Sequence, residues 1–218
     1  MVAELTGRSS LGAAIDEVAS RDPVLADLVA RVGPIRHRPR DPDGPFAALV
    51  RAIVFQQLAG RAAQAIYGRV RAAVGDTLTP EALNAVSDET LRAAGLSGNK
   101  LASLRDLSTK VLDGTVVLSR TSRRSDEELI ERLTTVRGIG RWTAEMYLMF
   151  QLRRLDVWPV DDLGVRRGYG LAYQIPTPQP RQLEALGEAF RPYRSVATWY
   201  CWRAVELLRG GGATPVTR

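Results

Sequence analysis

The chain has 218 residues, 45% of them hydrophobic and 25% charged, so it can bury a core in one compact domain or two closely packed lobes and lacks the composition of a disordered protein. Cys201 is its single cysteine and His37 its single histidine, which excludes a disulfide framework, a Cys/His zinc site and a cysteine-ligated iron–sulfur cluster. The formal net charge of +6, carried almost entirely by arginine with Lys100 and Lys110 as the lysines, suits a polyanionic partner because neutralised phosphates release condensed counterions.

Met1 to Ser10 is expected to fray, and Met1-Val2-Ala3-Glu4 lacks a charged-then-apolar leader. No run approaches the about 20 apolar residues of a spanning helix, so a cytoplasmic chain without membrane association is expected. Gly33 to Pro45 reads as a loop. Phe46, Leu49, Val50, Ile53, Val54 and Leu58 recur at three- and four-residue spacing and predict a helical segment from about Phe46 to Val74 with one buried face. Thr79-Pro80 is a hydroxyl cap followed by proline at the first helical position. Leu101, Leu104, Ser108 and Val111 repeat the helical spacing more loosely, and Val116-Val117-Leu118 is too short to establish a strand. Ser125-Asp126-Glu127-Glu128 predicts another helix start, with Glu128 completing a capping box. Gly170 to Pro180 reads as a loop. Val196 to Leu208 is apolar almost all round, with Arg203 and Glu206 its charges, and predicts a helix packed on most sides. Residues 209–218 are expected to fray. The expected fold is all-α.

The most informative segment is Leu133-Thr134-Thr135-Val136-Arg137-Gly138-Ile139-Gly140-Arg141-Trp142-Thr143-Ala144. One helix ends near Val136, Gly-Ile-Gly makes a turn too tight for side chains, and a second helix begins near Arg141. Such a turn exposes backbone amides at the positive end of a helix dipole, where a phosphate can be held without reference to base sequence. An isolated Gly-x-Gly would more often be an ordinary helix junction. The flanking Leu133, Val136, Ile139 and Ala144 give it the pattern of a helix-hairpin-helix element. By itself this argues for DNA binding and not for catalysis.

About twenty residues beyond Trp142 lies Pro159-Val160-Asp161-Asp162-Leu163-Gly164-Val165-Arg166-Arg167. With this segment after the hairpin, the chain resembles the HhH-GPD superfamily and, within it, the AlkA-like 3-methyladenine DNA glycosylase II branch. The similarity takes in Phe46 to Leu58, Gly95-Leu96-Ser97 with Lys100, and Arg191-Pro192-Tyr193-Arg194-Ser195 through Trp202, so it spans roughly Phe46 to Leu208. At this length, a short form without the N-terminal β-rich domain of longer AlkA-like relatives is expected. The resemblance implies a two-lobed fold with DNA and a flipped base at the inter-lobe cleft. One lobe is centred on about 46–150, with the hairpin near 133–150, and the other combines the N-terminal segment with about 151–208.

It further implies Asp162 as the catalytic carboxylate, with the cap role kept for Asp161 or a mixed role for both, whereas residue chemistry alone reads Asp162 as the helix cap and Asp161 as a solvated charge. Purines alkylated at N3 or N7 are cationic and leave without strong acid catalysis, so one carboxylate that stabilises an oxocarbenium-like sugar suffices. Trp142, Met146, Trp202 and Phe55 are the candidate base pocket, where aromatic faces would attract a cationic base. Trp202 is balanced between this role and core packing, and Trp199 reads as core. Gln57-Leu58 matches the turn that supplies a wedge for the duplex, with an ordinary core leucine as the alternative for Leu58. Arg61, Gly138, Gly140, Arg141, Thr143 and Arg194, with Arg137, are candidate phosphate contacts, each arginine being equally open to a surface ion pair. Trp142 occupies the hairpin position where strand-cleaving relatives carry a lysine, which implies base excision without lyase activity. No cofactor is required, and the hairpin backbone is a candidate holder of a monovalent cation. The implied partner is double-stranded DNA containing alkylated bases, acted on by a monomer. The rival from another class is a non-catalytic helix-hairpin-helix DNA-binding module.

Overall fold

A computed structural model describes residues 7–75 and 77–208, and among these every regular element is a helix. In chain order they are α1 (Gly7–Arg21), α2 (Pro23–Val32), α3 (Gly44–Phe55), α4 (Gly60–Val74), α5 (Pro80–Ala85), α6 (Asp88–Ala93) and α7 (Gly98–Leu112), then α8 (Asp126–Thr134), α9 (Arg141–Phe150), α10 (Leu163–Ala172), α11 (Pro180–Leu186) and α12 (Arg194–Leu208). Short 3-10 turns cover Thr121–Arg123 and Gly187–Phe190. The tail expected at residues 209–218 and the first six residues of the expected N-terminal tail lie outside the described residues, whereas Gly7 to Ser10 already belong to α1. No helix among the described residues is long and apolar enough to cross a membrane.

Contacts divide the chain into two compact units, one of Pro39–Leu152 and one of Met1–Arg38 with Arg153–Arg218. In the first, α3 buries Phe46, Ala47, Leu49, Val50, Ile53 and Val54, the face that the spacing predicts. The single helix expected over Phe46 to Val74 is broken: Gln56 turns extended at ψ 132° and Gln57 is left-handed at φ 56° before α4 begins. The break is stabilised from a distance. The Lys100 ammonium donates to the carbonyls of Val54 at 2.6 Å and Gln56 at 2.8 Å, satisfying acceptors that a helix end leaves open. Leu58 is half-buried in this turn and does not join the core.

Hydroxyl caps start the next helices as the sequence indicates. Thr79 accepts from the Ala82 amide at 3.1 Å and Ser125 from the Glu128 amide at 3.2 Å. The reciprocal half of the expected capping box is replaced: the Glu128 carboxylate pairs with Arg124 and, at 3.5 Å, with Arg132. Two arginine partners outcompete one neutral backbone amide for a charged acceptor.

The second unit is organised around α12, whose Val196, Ala197, Thr198, Tyr200, Cys201 and Ala204 are almost wholly buried against α10, α2 and α1. The loop expected from Gly170 starts later, because α10 continues to Ala172. Helices α10 and α12 meet backbone to backbone: a Cβ on Gly168 would overlap the Cys201 carbonyl group and stand 2.9 Å from its Cα. No rotamer change relieves a clash with main chain, so Gly168→Ala should lower unfolding free energy by about 3 kcal/mol or more. Gly68→Ala, at a helical position with open space around it, should raise it by about 0.5–1 kcal/mol. Urea denaturation of the two variants beside the wild type reads both signs, and equal stability of the two would refute this account of the α10–α12 contact.

Candidate functional site

The hairpin is a tight connection anchored from below. Helix α8 ends at Thr134; the Val136 amide then donates to the Leu133 carbonyl at 3.1 Å and the Ile139 amide to the Val136 carbonyl at 3.0 Å. Leu133, Val136, Ile139 and Ala144 are buried, while Arg137, Gly138 and Gly140 are exposed. Gly138 is fixed twice over, by a left-handed φ of 79° and by Ser103, whose Oγ would stand 2.6 Å from any Cβ. Helix α9 then starts at Arg141 with Gly140 as its cap residue and no side chain on its first amides. The N–H groups of Arg141, Trp142 and Thr143 therefore stand at the positive end of the helix, after a cap residue that has no side chain of its own. The Thr143 side chain is buried, so its amide is the group it offers to an anion.

One stripe of α7 seats this turn. Asn99 accepts from the Arg137 guanidinium at 3.2 Å, Ser103 lies under Gly138, and Asp106 accepts from the Arg137 amide at 2.7 Å and from Lys110 at 2.7 Å. Lys110 also donates to the Thr135 carbonyl at the end of α8. Burial pushes the Asp106 carboxyl up, but the hydrogen bonds from Lys110 and the Arg137 amide outweigh it and hold the group below the ordinary carboxylate range. These α7 residues were not singled out by the sequence, where they are only polar positions between loosely spaced leucines.

The arginines expected at phosphates divide. Arg61 and Arg137 are exposed. Arg141 instead forks onto Glu127, with both nitrogens at 2.8 Å, and reaches the buried Glu145 at 3.2 Å. Arg194 is largely buried and donates to the Asp156 carboxylate at 2.8 and 3.0 Å and to the Asp156 carbonyl at 2.9 Å. For these two the ion-paired alternative is the one the structure adopts. Gln57 is exposed beside the half-buried Leu58. The neighbouring Gln56 does more than the sequence suggests, because its side-chain amide donates to the Gly138 carbonyl at 2.8 Å.

In the unit around α12, Asp162 is the cap residue of α10. Its Oδ1 accepts from the Val165 amide at 2.9 Å and from the Trp202 indole N–H at 3.1 Å. Capping and orientation of a carboxylate thus coincide in one residue, and Asp161 is exposed beside it. Gly164 keeps room for this pair, since a Cβ there would lie 2.9 Å from Asp162 Oδ1 and 3.0 Å from the Trp202 ring. Trp202 is half-buried and meets Trp199 edge to face at 5.6 Å, with the Arg38 guanidinium 5.4 Å above the Trp199 ring. Trp199, expected in the core, is likewise only half-buried and packs at the core's margin.

Of the other aromatic candidates, Trp142 is 49% exposed at the start of α9, with the half-buried Met146 one turn on along the same face. Phe55 lies 6.3 Å from Tyr67 and 4.8 Å below the Arg51 guanidinium. The described residues contain no group of three or more His, Cys, Asp or Glu placed to hold a metal ion. A monovalent cation at the hairpin would draw on backbone carbonyls, of which those of Thr135 and Gly138 already accept from Lys110 and Gln56.

Residues 50–192 match the family described as HhH-GPD superfamily base excision DNA repair protein. The chain is 39% identical over 185 residues, 83% of its length and 81% of the relative's, to DNA-3-methyladenine glycosylase 1 of Schizosaccharomyces pombe. Among solved structures it resembles DNA-3-methyladenine glycosidase from Bacillus halodurans, with a TM-score of 0.81, 39% identity and 88% of each chain covered. It also resembles Schizosaccharomyces pombe 3-methyladenine DNA glycosylase (Mag1) in complex with abasic DNA, with a TM-score of 0.75, 35% identity and coverage of 91% of this chain and 99% of that one. The uncapped hairpin, the carboxylate that opens α10 and a family match across most of the chain make this protein a member of the HhH-GPD superfamily of base excision DNA repair proteins.

Proposed function

We propose that the protein is a monofunctional DNA glycosylase that hydrolyses the N-glycosidic bond of alkylated purines, 3-methyladenine foremost, in double-stranded DNA and acts as a monomer. The observation that carries this reading is the Asp162 carboxylate, oriented on one oxygen by the Val165 amide and the Trp202 indole. The 3-methyladenine glycosylase names of the similar proteins and the abasic DNA bound to Mag1 support the same reading.

Duplex DNA is gripped first through its backbone, by the amides that open α9 and by exposed arginines such as Arg61 and Arg137. The lesion leaves the stack, and a cationic alkylpurine is attracted to tryptophan faces by roughly 0.5–2 kcal/mol more than a neutral base. As the glycosidic bond lengthens, positive charge develops on the sugar. An oriented carboxylate stabilises that charge without having to reorganise, and can take the proton of the attacking water. The methylated base carries its own positive charge and departs as a neutral purine, so no general acid is required of the protein.

The lysine chemistry supports hydrolysis without strand cleavage. Lys100 donates to the Val54 and Gln56 carbonyls and Lys110 to Asp106 and Thr135, so both ammonium groups are committed to the scaffold. A Schiff base needs an unprotonated amine at the sugar carbon.

Asp162→Asn preserves an oxygen that accepts from Val165 and Trp202 but removes the charge. It should bind methylated duplex like the wild type and release 3-methyladenine about 100-fold more slowly or worse; undiminished release would refute the assignment of Asp162. Incubation with methylated duplex and borohydride should leave no protein–DNA adduct, and a covalent band would overturn the monofunctional reading. Tight binding by the wild type without any base release would favour the non-catalytic module instead.

A further inference from the structure

The turn between α3 and α4 and the hairpin are joined by a closed circuit of contacts. From α7, Lys100 holds the carbonyls of Val54 and Gln56. From the turn, the Gln56 amide holds the Gly138 carbonyl at 2.8 Å. From the hairpin, Gly138 returns to α7 by resting on Ser103, whose own hydroxyl is tied to the Asn99 carbonyl at 2.9 Å. The links from Lys100 and Gln56 cross between segments far apart in sequence, 44 to 46 residues for Lys100 and 82 for Gln56.

Two features show that the circuit does more than finish a helix. A carbonyl pair at a helix C-terminus is ordinarily satisfied by a local turn or by water, yet here a charged group is spent on it at the cost of desolvation, which lowers the Lys100 pKa. The turn that is held this way contains a left-handed non-glycine residue, Gln57, a conformation that costs about 1 kcal/mol or more and persists where surroundings enforce it. The result is that Gln57 stays exposed and Leu58 half-exposed, on a turn whose position relative to the hairpin is fixed through Gln56.

We propose that Lys100 and Gln56 are positioning residues that lock the Gln57-Leu58 turn to the phosphate-binding hairpin, so that the wedge that opens the duplex and the clamp that holds its backbone act as one rigid piece. This rests on the reading of the protein as a base-excising enzyme that enters duplex DNA. Without the lock, backbone binding survives, but the energy of phosphate contact is no longer transmitted to unstacking. The defect should therefore appear only where a base must be taken out of a duplex.

Two variants isolate the lock. Gln56→Glu keeps the side chain's size and turns the donor facing the Gly138 carbonyl into an acceptor. Lys100→Met keeps the aliphatic stem and removes the ammonium. A first probe is duplex DNA with a tetrahydrofuran abasic analogue beside 2-aminopurine, whose fluorescence rises on unstacking. Both variants should bind this duplex within about twofold of the wild type and lose most of the fluorescence rise. In single-turnover release of 3-methyladenine, the ratio of the duplex rate to the single-strand rate should fall about tenfold or more, the equivalent of one or two charge-assisted hydrogen bonds. The double variant should be no worse than the more impaired single variant, because both break the same circuit.

Equal losses on duplex and single strand, additive losses in the double variant, or an unchanged fluorescence rise would each overturn the proposal. Should Lys100→Met fail to fold, Gln56→Glu, confined to a half-buried side chain, decides the matter alone. If the wild type releases no 3-methyladenine, the glycosylase reading fails while the fluorescence comparison still tests the lock.

Discussion

A helix begins with amides that no intrahelical carbonyl can satisfy, and the choice of which ones to close with side chains governs where a helical protein can receive an anion. Here the choice is uneven. Asp22, Thr79, Ser87, Ser97, Ser125 and Asp162 close the starts of α2, α5, α6, α7, α8 and α10 with side-chain oxygens. The cap residues of α3, α4 and α9, Asp43, Ala59 and Gly140, make no such bond. An uncapped, exposed helix start is a standing cost unless water or a ligand accepts from it. Hydrogen bonds around the α9 start hold its flanks, through Asn99, Asp106, Lys110 and Gln56. Rigid flanks with an open centre suit a site whose ligand arrives from outside.

The carboxylate end follows a different constraint, the close approach of two helix backbones. Gly168 on α10 and Cys201 on α12 touch through main-chain atoms, and Trp202 is the residue after Cys201. Fixing that contact fixes how far apart the start of α10 and the Trp202 indole stand, and so sets the 3.1 Å bond that turns the Asp162 carboxylate. Gly164 then keeps the intervening space clear. The cap bond from Val165 comes from α10 and the indole bond from α12, so an oxygen held by both records the packing of two helices as well as the fold of one. A wider α10–α12 spacing would leave the cap bond and remove the second hold on the same oxygen.

What the sequence discloses depends on the range of the interaction. The helix starts at Thr79 and Ser125, the buried face of α3 and the Gly138-Ile139-Gly140 turn are local patterns, readable because cap, period and turn act over a few residues. Asp162 is legible as a cap by the same logic, and the hairpin that precedes it motivates its proposed catalytic role. The break after Phe55 is hidden, since apolar spacing runs through it and the ammonium that stabilises it comes from Lys100. Arg141 and Arg194 look like phosphate contacts because their partners Glu127 and Asp156 lie elsewhere in the chain. Glu128 fits a capping box until Arg124 and Arg132 compete for it. In each case residue type indicates what a side chain can do, while long-range packing decides which partner it takes.

The division of labour between lysine and arginine closes the chemical argument. Arginine supplies nearly all the positive charge, and a guanidinium can bind phosphate or carboxylate but, being protonated at any physiological pH, cannot add to a sugar carbon. Both lysines, which could, are held against carbonyls and Asp106. Under the proposed function, arginine then supplies charge for DNA and Asp162, held by the Val165 amide and the Trp202 indole, an oriented carboxylate for the sugar. Such machinery lowers the barrier by stabilising a cation that is already forming. On the proposed function it would act best on bases whose own positive charge has already weakened the glycosidic bond.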